Sequence, residues 1–395
     1  MKILIILFCI SPLITFASDS SKELLKKLVE ISSGSNDVAG VTQVQQIIAD
    51  ELKSMSFQTE LTPSASGKLG PLLIGTLKGK SSQYITFIAH ADTVFEKFSG
   101  FTTYQISADG KTAKGPGVID DKGGIVVLLS GLKEYLGKNN FPSYSLRVIL
   151  SPGEEVGMPE LLPLFKKYSR DSVIVLGFEP CLDDGSIIDG RRGNRWYSIK
   201  VVGREAHAGR AHKEGVNACW ELAKKLDAVS KLTDYSKDLT VSIGHIEGGK
   251  DKYNIVCGEA SAKIDVRFSN IESRDKFHKK FEQIVKRSFV LSVSDKKPTS
   301  SSFEITDETE PFSPTPESLR KIKTLKMLIE KYEGRKVSSQ KSGGAADTNN
   351  FSRSGLPIID GLGACGGKMH TQDEYIELLT LGSRAKVLSD FLEQF

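Results

Sequence analysis

Two histidines and a group of carboxylates carry the chemistry open to this 395-residue chain. His90 stands in His90-Ala91-Asp92. Asp120 and Asp121 are adjacent in the stretch Gly115-Pro116-Gly117-Val118-Ile119-Asp120-Asp121-Lys122-Gly123-Gly124. Glu154 and Glu155 follow Ser151-Pro152-Gly153, Glu179 precedes Pro180, and His370 lies in a glycine-rich stretch from Gly361 to Thr371. Like-charged neighbours repel, so an Asp-Asp pair held in a glycine turn asks for a positive partner, and a divalent cation is a common one. A polar turn opening a helix, with Asp121 as its cap, is the competing reading of that stretch by itself. Residues i and i+2 of extended chain point the same way, so His90 could bind a metal with Asp92 behind it, tuning its basicity and orientation. Side chains of successive residues diverge, which lets one acid of the Glu154-Glu155 pair bind metal while the other serves as general base on a water. Each feature taken singly has an ordinary structural reading. Jointly, His90, Asp120, Glu155, Glu179 and His370 form a nitrogen and oxygen ligand set that suits two zinc ions roughly 3.5–4 Å apart with one carboxylate between them.

The elements needed to position these groups are legible as hydrophobic periodicity. Helical spacing runs over residues 20–31 and 41–55, and short apolar runs at Pro71 to Leu77 and Tyr84 to Ala89 read as strands. A helix is expected over Ile125 to Tyr135, a strand over Tyr144 to Leu150, a helix over Pro159 to Tyr168 and a buried strand over Ser172 to Phe178. Alternating strands and helices argue for an α/β layer with a mostly parallel sheet. Every candidate ligand except Asp120 then falls at, or in the loop after, the carboxyl end of a strand, the edge on which open α/β sheets build their sites. After Gly190 the pattern changes. Strands at Arg195 to Val202, Leu239 to Ile246, Ala260 to Phe268 and Ser302 to Ile305, with helices at Gly215 to Val229 and Ile271 to Phe289, form a βαββαβ sequence, a small open-faced sandwich. A helix over Glu317 to Tyr332, a buried strand over Leu356 to Asp360 and a closing helix over Ile376 to Phe395 return to the first texture. The expected organisation is a catalytic domain over residues 18–190 and 309–395, interrupted by a domain over 191–308.

The first residues read as an export signal over residues 1–17: Lys2, an apolar run from Ile3 to Phe16, and a small-x-small site ending at Ala17. The run is too short to span a bilayer. The expected location is therefore periplasmic or secreted, with no membrane segment in the mature chain. Net charge is +4 with basic residues dispersed, and no basic block interleaved with aromatics points to nucleic acid. Cys9 leaves with the signal. Cys181, Cys219, Cys257 and Cys365 are widely spaced and contain no Cys-x-x-Cys pair, which argues against a thiolate zinc ribbon. An oxidising compartment allows bridges among them without saying which cysteines pair.

The blocks His90-Ala91-Asp92-Thr93-Val94, Gly115 to Gly124, Glu154-Glu155, Phe178-Glu179-Pro180 and Gly203-Arg204-Glu205-Ala206-His207-Ala208-Gly209 resemble the M20 metallopeptidases, most closely glutamate carboxypeptidases of the carboxypeptidase G2 type. Gly343-Gly344-Ala345-Ala346-Asp347 and the run from Gly361 to His370 resemble that subgroup as well, and the motifs follow in order over nearly the whole mature chain. The resemblance implies a zinc-exopeptidase-like α/β/α catalytic domain with an inserted ferredoxin-like lid and dimerisation domain. It implies two Zn2+ per subunit, Co2+ or another divalent metal being an alternative. Asp120 would bridge, with His90 and Glu179 on one metal and Glu155 and His370 on the other. Glu154 would be the general base, Asp92 would support His90, and the Asp120-Asp121 peptide bond would be cis. His207 would reach the active site of the partner subunit in a homodimer and polarise the scissile carbonyl. Asn254, Arg267 and Gly344 would contact substrate, the Arg267 fork suiting a free carboxylate.

The implied activity is hydrolysis of a peptide or amide bond in a small peptide or N-acyl amino acid. An exopeptidase releasing a C-terminal residue, glutamate in the subgroup, is the first expectation. An aminopeptidase or N-acyl-amino-acid deacylase on the same site is the nearest alternative, and an inactive, metal-binding dimeric interaction protein is the alternative of another class. Three departures bear on specificity. Glu205 stands where small residues are usual, Cys257 replaces a proline common after Asn254-Ile255-Val256, and the acidic run Asp307 to Glu310 lies near an expected basic substrate contact.

Overall fold

The computed structural model describes residues 19–97, 99–139, 141–353 and 355–395. The expected signal over residues 1–17 lies outside them. No helix among the described residues is long and apolar enough to cross a membrane. The chain divides into two compact units. One comprises the chain up to Gly190 with Ser313–Lys341 and Ala346–Phe395, and the other comprises Arg191–Phe312 with Ser342–Ala345.

The first unit is built on a six-stranded sheet in the order Gln58–Thr62, Leu72–Leu77, Tyr144–Ser151, Ser81–His90, Ser172–Gly177, Ile358–Ile359. The last four strands run parallel, and the first two pair antiparallel at one edge. Four neighbouring parallel strands therefore end on one edge, and chain leaving them can converge there. The strand Ser81–His90 ends in six consecutive buried residues, as expected of a central strand covered on both faces. One helix behind the site, Lys122–Lys138, is buried almost all round, with Ile125, Val126, Val127, Leu128, Leu129 and Leu132 inaccessible. It packs against the closing helix Leu378–Leu392, the first helix Asp19–Val29 and the strand Ser81–His90, so it has no wide solvent face to make polar.

Several boundaries differ from expectation. The helix expected from Pro159 starts at Leu162, after a 3-10 turn over Pro159–Leu161, with Pro163 in its first turn. The strand expected over Leu356 to Asp360 pairs only at Ile358–Ile359, and the closing helix starts at Leu378 because Tyr375–Glu377 is a short strand. The edge strand Gln58–Thr62 has no buried residue, so it carries no apolar run to reveal it.

The second unit is a four-stranded antiparallel sheet in the order Thr240–Gly248, Glu259–Phe268, Gly193–Val202, Ser300–Thr309. The helices Ala218–Ser230 and Ile271–Lys286 pack against it through a shared apolar core. The connectivity is the βαββαβ of a ferredoxin-like sandwich. Glu259–Phe268 alternates buried and accessible residues, the period-2 pattern of a strand with one covered face. Behind it lies a fully buried ion pair, Glu221 with Lys225 at 2.8 Å. Its remaining valences are met. The Lys225 ammonium donates to the carbonyls of Ile284, Val285 and Arg287, and Glu221 accepts from the backbone of Phe289 and Val290. The pair thus satisfies the backbone where the helix Ile271–Lys286 ends, which offsets the cost of burying charge.

The second unit extends to Phe312, not residue 308, because the strand Ser300–Thr309 outlasts its apolar core and Phe312 exchanges backbone hydrogen bonds with Arg191. The acidic residues at its end are occupied structurally. Glu308 pairs with Arg195 at 2.6 Å and with Arg274 at 2.5 Å, and Asp307 accepts from Asn194.

Candidate metal centre

Three of the five candidate ligands sit at or just beyond the carboxyl ends of parallel strands. His90 is the last residue of its strand, Glu155 lies in the 3-10 turn Glu154–Val156 after Tyr144–Ser151, and Glu179 follows Ser172–Gly177. His370, expected in the loop after a strand over Leu356 to Asp360, lies farther on, between the short strands Gly366–Gly367 and Tyr375–Glu377. Asp120 reaches the same place from the turn before the helix Lys122–Lys138. The packing of that turn explains its glycines. Gly117 has φ +67°, and a β-carbon on it would lie 2.3 Å from Thr93. A β-carbon on Gly124 would lie 2.0 Å from both an Asp121 oxygen and the Phe178 carbonyl. The Asp120-Asp121 peptide bond is cis.

These placements make two triads that share one carboxylate. His90 Nε2 is 3.1 Å from Asp120 Oδ1 and 3.7 Å from Glu179 Oε1. On the other side, His370 Nε2 is 3.1 Å from Asp120 Oδ2 and 3.4 Å from Glu155 Oε2. The two oxygens of Asp120 thus face different histidines, as a bridging carboxylate requires. Among the described residues, the buried Oε1 of Glu155 has no hydrogen-bond partner, an orphaned acceptor on one of the cluster's own carboxylates. Imidazole and carboxylate donors with such an orphan fit a borderline divalent cation such as zinc.

Asp92 does more than stand behind His90. It is fully buried, its backbone carbonyl lies 3.1 Å and its Oδ1 3.3 Å from His90 Nδ1, and Ser35 donates to Oδ2 at 2.6 Å. The same carboxylate accepts the backbone N–H of Glu154 at 3.0 Å and of Glu155 at 3.3 Å. One side chain therefore fixes the imidazole, leaving Nε2 toward the cluster, and docks the turn that carries both glutamates. Glu154 lies close enough to form a third group with His90 and Glu155. Burial, then the negative charges of Glu179, Asp347 and Glu155, push its carboxyl well above the ordinary range. Asp347 is bonded to Ser151 just before that turn and is pushed up to about 6 by burial.

Asp121 holds the N-cap position of the helix Lys122–Lys138 but does not cap it with its side chain. Its buried Oδ2 instead accepts the backbone N–H of His90 at 3.3 Å. Sequence reasoning missed Glu374. This fully buried carboxylate accepts the backbone N–H groups of Gly117, Ile119 and Asp120 at 3.3, 2.9 and 3.2 Å, and burial pushes it up to about 7. It ties the turn carrying Asp120 to the segment that follows His370.

The remaining candidate residues, His207, Asn254, Arg267 and Gly344, belong to the second unit. His207 is exposed, and its Nδ1 accepts the N–H groups of Gly209 and Arg210 at 3.1 and 3.2 Å. That leaves Nε2 as the protonated, donating nitrogen. Its loop pairs with the Asn254 segment through Ala208 N–H to Asn254 O and Val256 N–H to Ala206 O, both 2.9 Å. Cys257 next to that segment is bonded to Cys219, which gives the departure from proline a structural role, and Glu205 pairs with Lys250 at 2.8 Å. The Nε of Arg267 is engaged by Asp265 on its own strand at 2.8 Å. Gly344 accepts from Arg191 through its carbonyl at 3.2 Å.

The carboxylates around both histidines favour their protonated forms. Burial opposes charge on His90, but hydrogen bonds to Asp120 and Asp92 and the charge of Glu179 outweigh it and raise its pKa well above the ordinary value. Hydrogen bonds to Asp120 and Glu155 raise His370 from 6.5 to about 10. A raised histidine keeps its proton above the ordinary pKa and releases it only as pH climbs through the raised one. Between about pH 6.5 and 10 a cation must therefore displace a proton from His370, and it must displace one from His90 too. Zinc uptake at pH 7 is expected to release about one proton from each histidine, and affinity to rise with pH across this window. Calorimetric titration in buffers of different ionisation enthalpy measures this, and uptake without proton release would remove the histidines from the ligand set.

Comparison with known proteins points to peptidases. The family model described as a peptidase dimerisation domain (M20) matches residues 189–290, and that of peptidase family M28 matches residues 73–160. Carboxypeptidase G2 from a Pseudomonas species is 27% identical over 364 residues, covering 91% of this chain and 85% of its own. A succinyl-diaminopimelate desuccinylase from Rickettsia felis is 23% identical over 385 residues, covering 93% of this chain and 98% of its own. Among solved structures, an aminopeptidase from Bacillus cereus superposes with a TM-score of 0.75 at 20% identity, covering 96% of this chain and 99% of that one. An M20 family metallo-carboxypeptidase from Sulfolobus solfataricus superposes with a TM-score of 0.72 at 17% identity, covering 95% of this chain and 99% of that one. A catalytic α/β unit interrupted in sequence by a segment that matches the M20 dimerisation domain, and an alignment with carboxypeptidase G2 over 91% of this chain, make the chain similar to the M20 metallopeptidases and support its being a hydrolase.

Proposed function

We propose that the protein is an exopeptidase with two zinc ions, removing a C-terminal residue from a small peptide. The observation that carries this reading is the pair of triads sharing Asp120, each with one histidine and one further carboxylate. His90 and Glu179 would hold one ion, Glu155 and His370 the other. Bound there, the ions would supply Lewis acidity toward a water and toward the scissile carbonyl. The chain's own residues do the rest. Glu154, docked through its backbone on Asp92, takes the proton of the attacking water. Its raised proton affinity suits that task, and it then returns the proton to the leaving amine. His207, with Nε2 as donor, is suited to an oxygen that gains negative charge, and we assign it to the partner subunit's substrate. The guanidinium of Arg267 would take the terminal carboxylate, with Asn254 and Gly344 as further contacts.

The homodimer this requires is supported by the dimerisation-domain match and by the outer strand Thr240–Gly248, which ends the sheet with Ile246 exposed. Such an edge is a template for pairing with a second copy. A periplasmic or secreted location is supported by the apolar amino-terminal run and by two disulfides, Cys181–Cys365 and Cys219–Cys257.

The test is product release from a panel of N-blocked dipeptides, N-free dipeptides and acylated amino acids, with and without chelator. Release from N-blocked dipeptides, lost on chelation and restored by zinc, is the expected result. Hydrolysis of free-N-terminus substrates alone would sink the carboxypeptidase reading in favour of an aminopeptidase, and turnover of acylated amino acids alone would favour a deacylase. A zinc-loaded protein inert on the whole panel would leave a metal-binding interaction protein.

A further inference from the structure

Glu179 and His370 belong to different triads, yet the chain beside each is joined covalently. Cys181, two residues beyond Glu179, is bonded to Cys365, five residues before His370. Around that bond the two segments run together, with Gly363 N–H to Glu179 O at 3.1 Å and Cys181 N–H to Ala364 O at 3.2 Å. Just beyond Cys365 the short strand Gly366–Gly367 pairs with Tyr375 and Ile376, and from there to His370 the chain turns through Lys368, whose carbonyl accepts the Thr371 N–H at 3.2 Å. Lys368 and His370 both adopt left-handed backbone conformations, with φ of 59° and 64°, which side-chain-bearing residues rarely hold without support. The His370 side chain is 55% exposed, so packing cannot fix it.

The disulfide is also unsymmetrical. Cys365 Sγ receives the Nη2 groups of Arg335 at 3.0 Å and Arg384 at 3.3 Å. Both guanidiniums are anchored on Glu333, each through Nε at 2.6 Å. Among the described residues no guanidinium is bonded to Cys181, which is the more accessible residue of the two. Two guanidinium donors stabilise negative charge on a sulfur and make it the better leaving group in thiol–disulfide exchange.

We propose that Cys181–Cys365 is a redox-sensitive clamp on the metal centre: oxidised, it fixes the Glu179 and His370 loops to each other; reduced, it lets them part and weakens metal binding. A dithiol reductant's thiolate attacks Cys181 Sγ, and the S–S bond breaks with its electron pair leaving on Cys365 Sγ between Arg335 and Arg384. The second thiol of the reductant then displaces Cys181, so the dithiol leaves oxidised and both cysteines are reduced. Cys219–Cys257, in the other unit, has no such connection to a triad and serves as the internal control.

The clamp rests on reading these residues as metal ligands, and a test by zinc affinity keeps the two claims apart. Full-length mature protein is loaded with Zn2+ and titrated against a chromophoric chelator, as wild type, as C181S/C365S and as C219S/C257S. The expected result is affinity lowered about tenfold or more in C181S/C365S and unchanged within about twofold in C219S/C257S. Wild type opened at Cys181–Cys365 by a phosphine reductant, with the reduced bond identified by mass spectrometry, should behave as C181S/C365S does. If C181S/C365S does not fold, the phosphine-opened wild type decides alone. Wild-type affinity in the opened protein, or in a folded C181S/C365S, overturns the clamp and leaves the metallohydrolase reading standing. An oxidised wild type that takes up no zinc overturns the metallohydrolase reading, and the clamp with it.

Discussion

Replacing Glu154 by glutamine is expected to leave a folded, metal-loaded protein whose turnover is about 10²–10⁴-fold slower. The substitution keeps the size of the side chain and leaves the backbone N–H on Asp92 untouched, so the turn that also presents Glu155 stays docked. What it removes is the ability to take a proton and hand it on. The loss should fall on kcat, with KM and zinc content little changed, because no interaction that binds metal or substrate is deleted. Steady-state kinetics beside metal analysis of the same preparation make the measurement. A variant within a few-fold of the parent in kcat would take the general-base role away from Glu154.

The second large effect is expected from Asp120→Ala, on metal content. Asp120 is the one residue that both triads use, with one oxygen toward His90 and the other toward His370. Its loss should take zinc from about two ions per chain to less than one, and activity with it. His370→Ala provides the contrast. It leaves His90, Asp120 and Glu179 together and should retain about one ion. Equal losses from the two substitutions would show that Asp120 does not bridge. Elemental analysis after gel filtration reads the stoichiometry directly, and circular dichroism separates loss of metal from loss of fold.

The residues that face the cluster were legible because their types are expensive to bury without a purpose and their spacing follows strand ends. His90, Glu155, Glu179 and His370 each announce themselves by standing at or after an apolar run. The glycines around Asp120 mark a turn too tight for side chains, and the close approaches at Gly117 and Gly124 bear that out. Supporting residues were harder to see. Glu374 reads as one more acid in a polar loop, and the amides it accepts from lie 254 to 257 positions earlier. Nothing local signals that it will be buried. The second task of Asp92, docking the Glu154-Glu155 turn, is invisible for the same reason. The acidic run after Phe303 looks like an obstacle to an anionic substrate, and only the folded sheet brings Arg195, Arg274 and Asn194 to meet it. Cysteine pairing likewise needs three dimensions, since Cys181 and Cys365 are 184 positions apart.

The interruption of one unit by the other also sets an order of events at the ribosome. His90, Asp120, Glu155 and Glu179 have all been made before Arg191 begins the second unit, whereas His370 emerges near the end of synthesis. At ordinary elongation rates that gap lasts on the order of ten seconds or more. During it the edge of the strand Ser172–Gly177 that Ile358–Ile359 later pairs with has no strand beside it, and the triad of Asp120, Glu155 and His370 lacks a member. The four strands and two helices of the second unit's sandwich are contiguous in the chain, so none of them waits for residues beyond Phe312. The part inserted last in sequence logic is thus the part whose residues are all made first, and the group of Asp120, Glu155 and His370 can assemble only after the last stretch of chain exists.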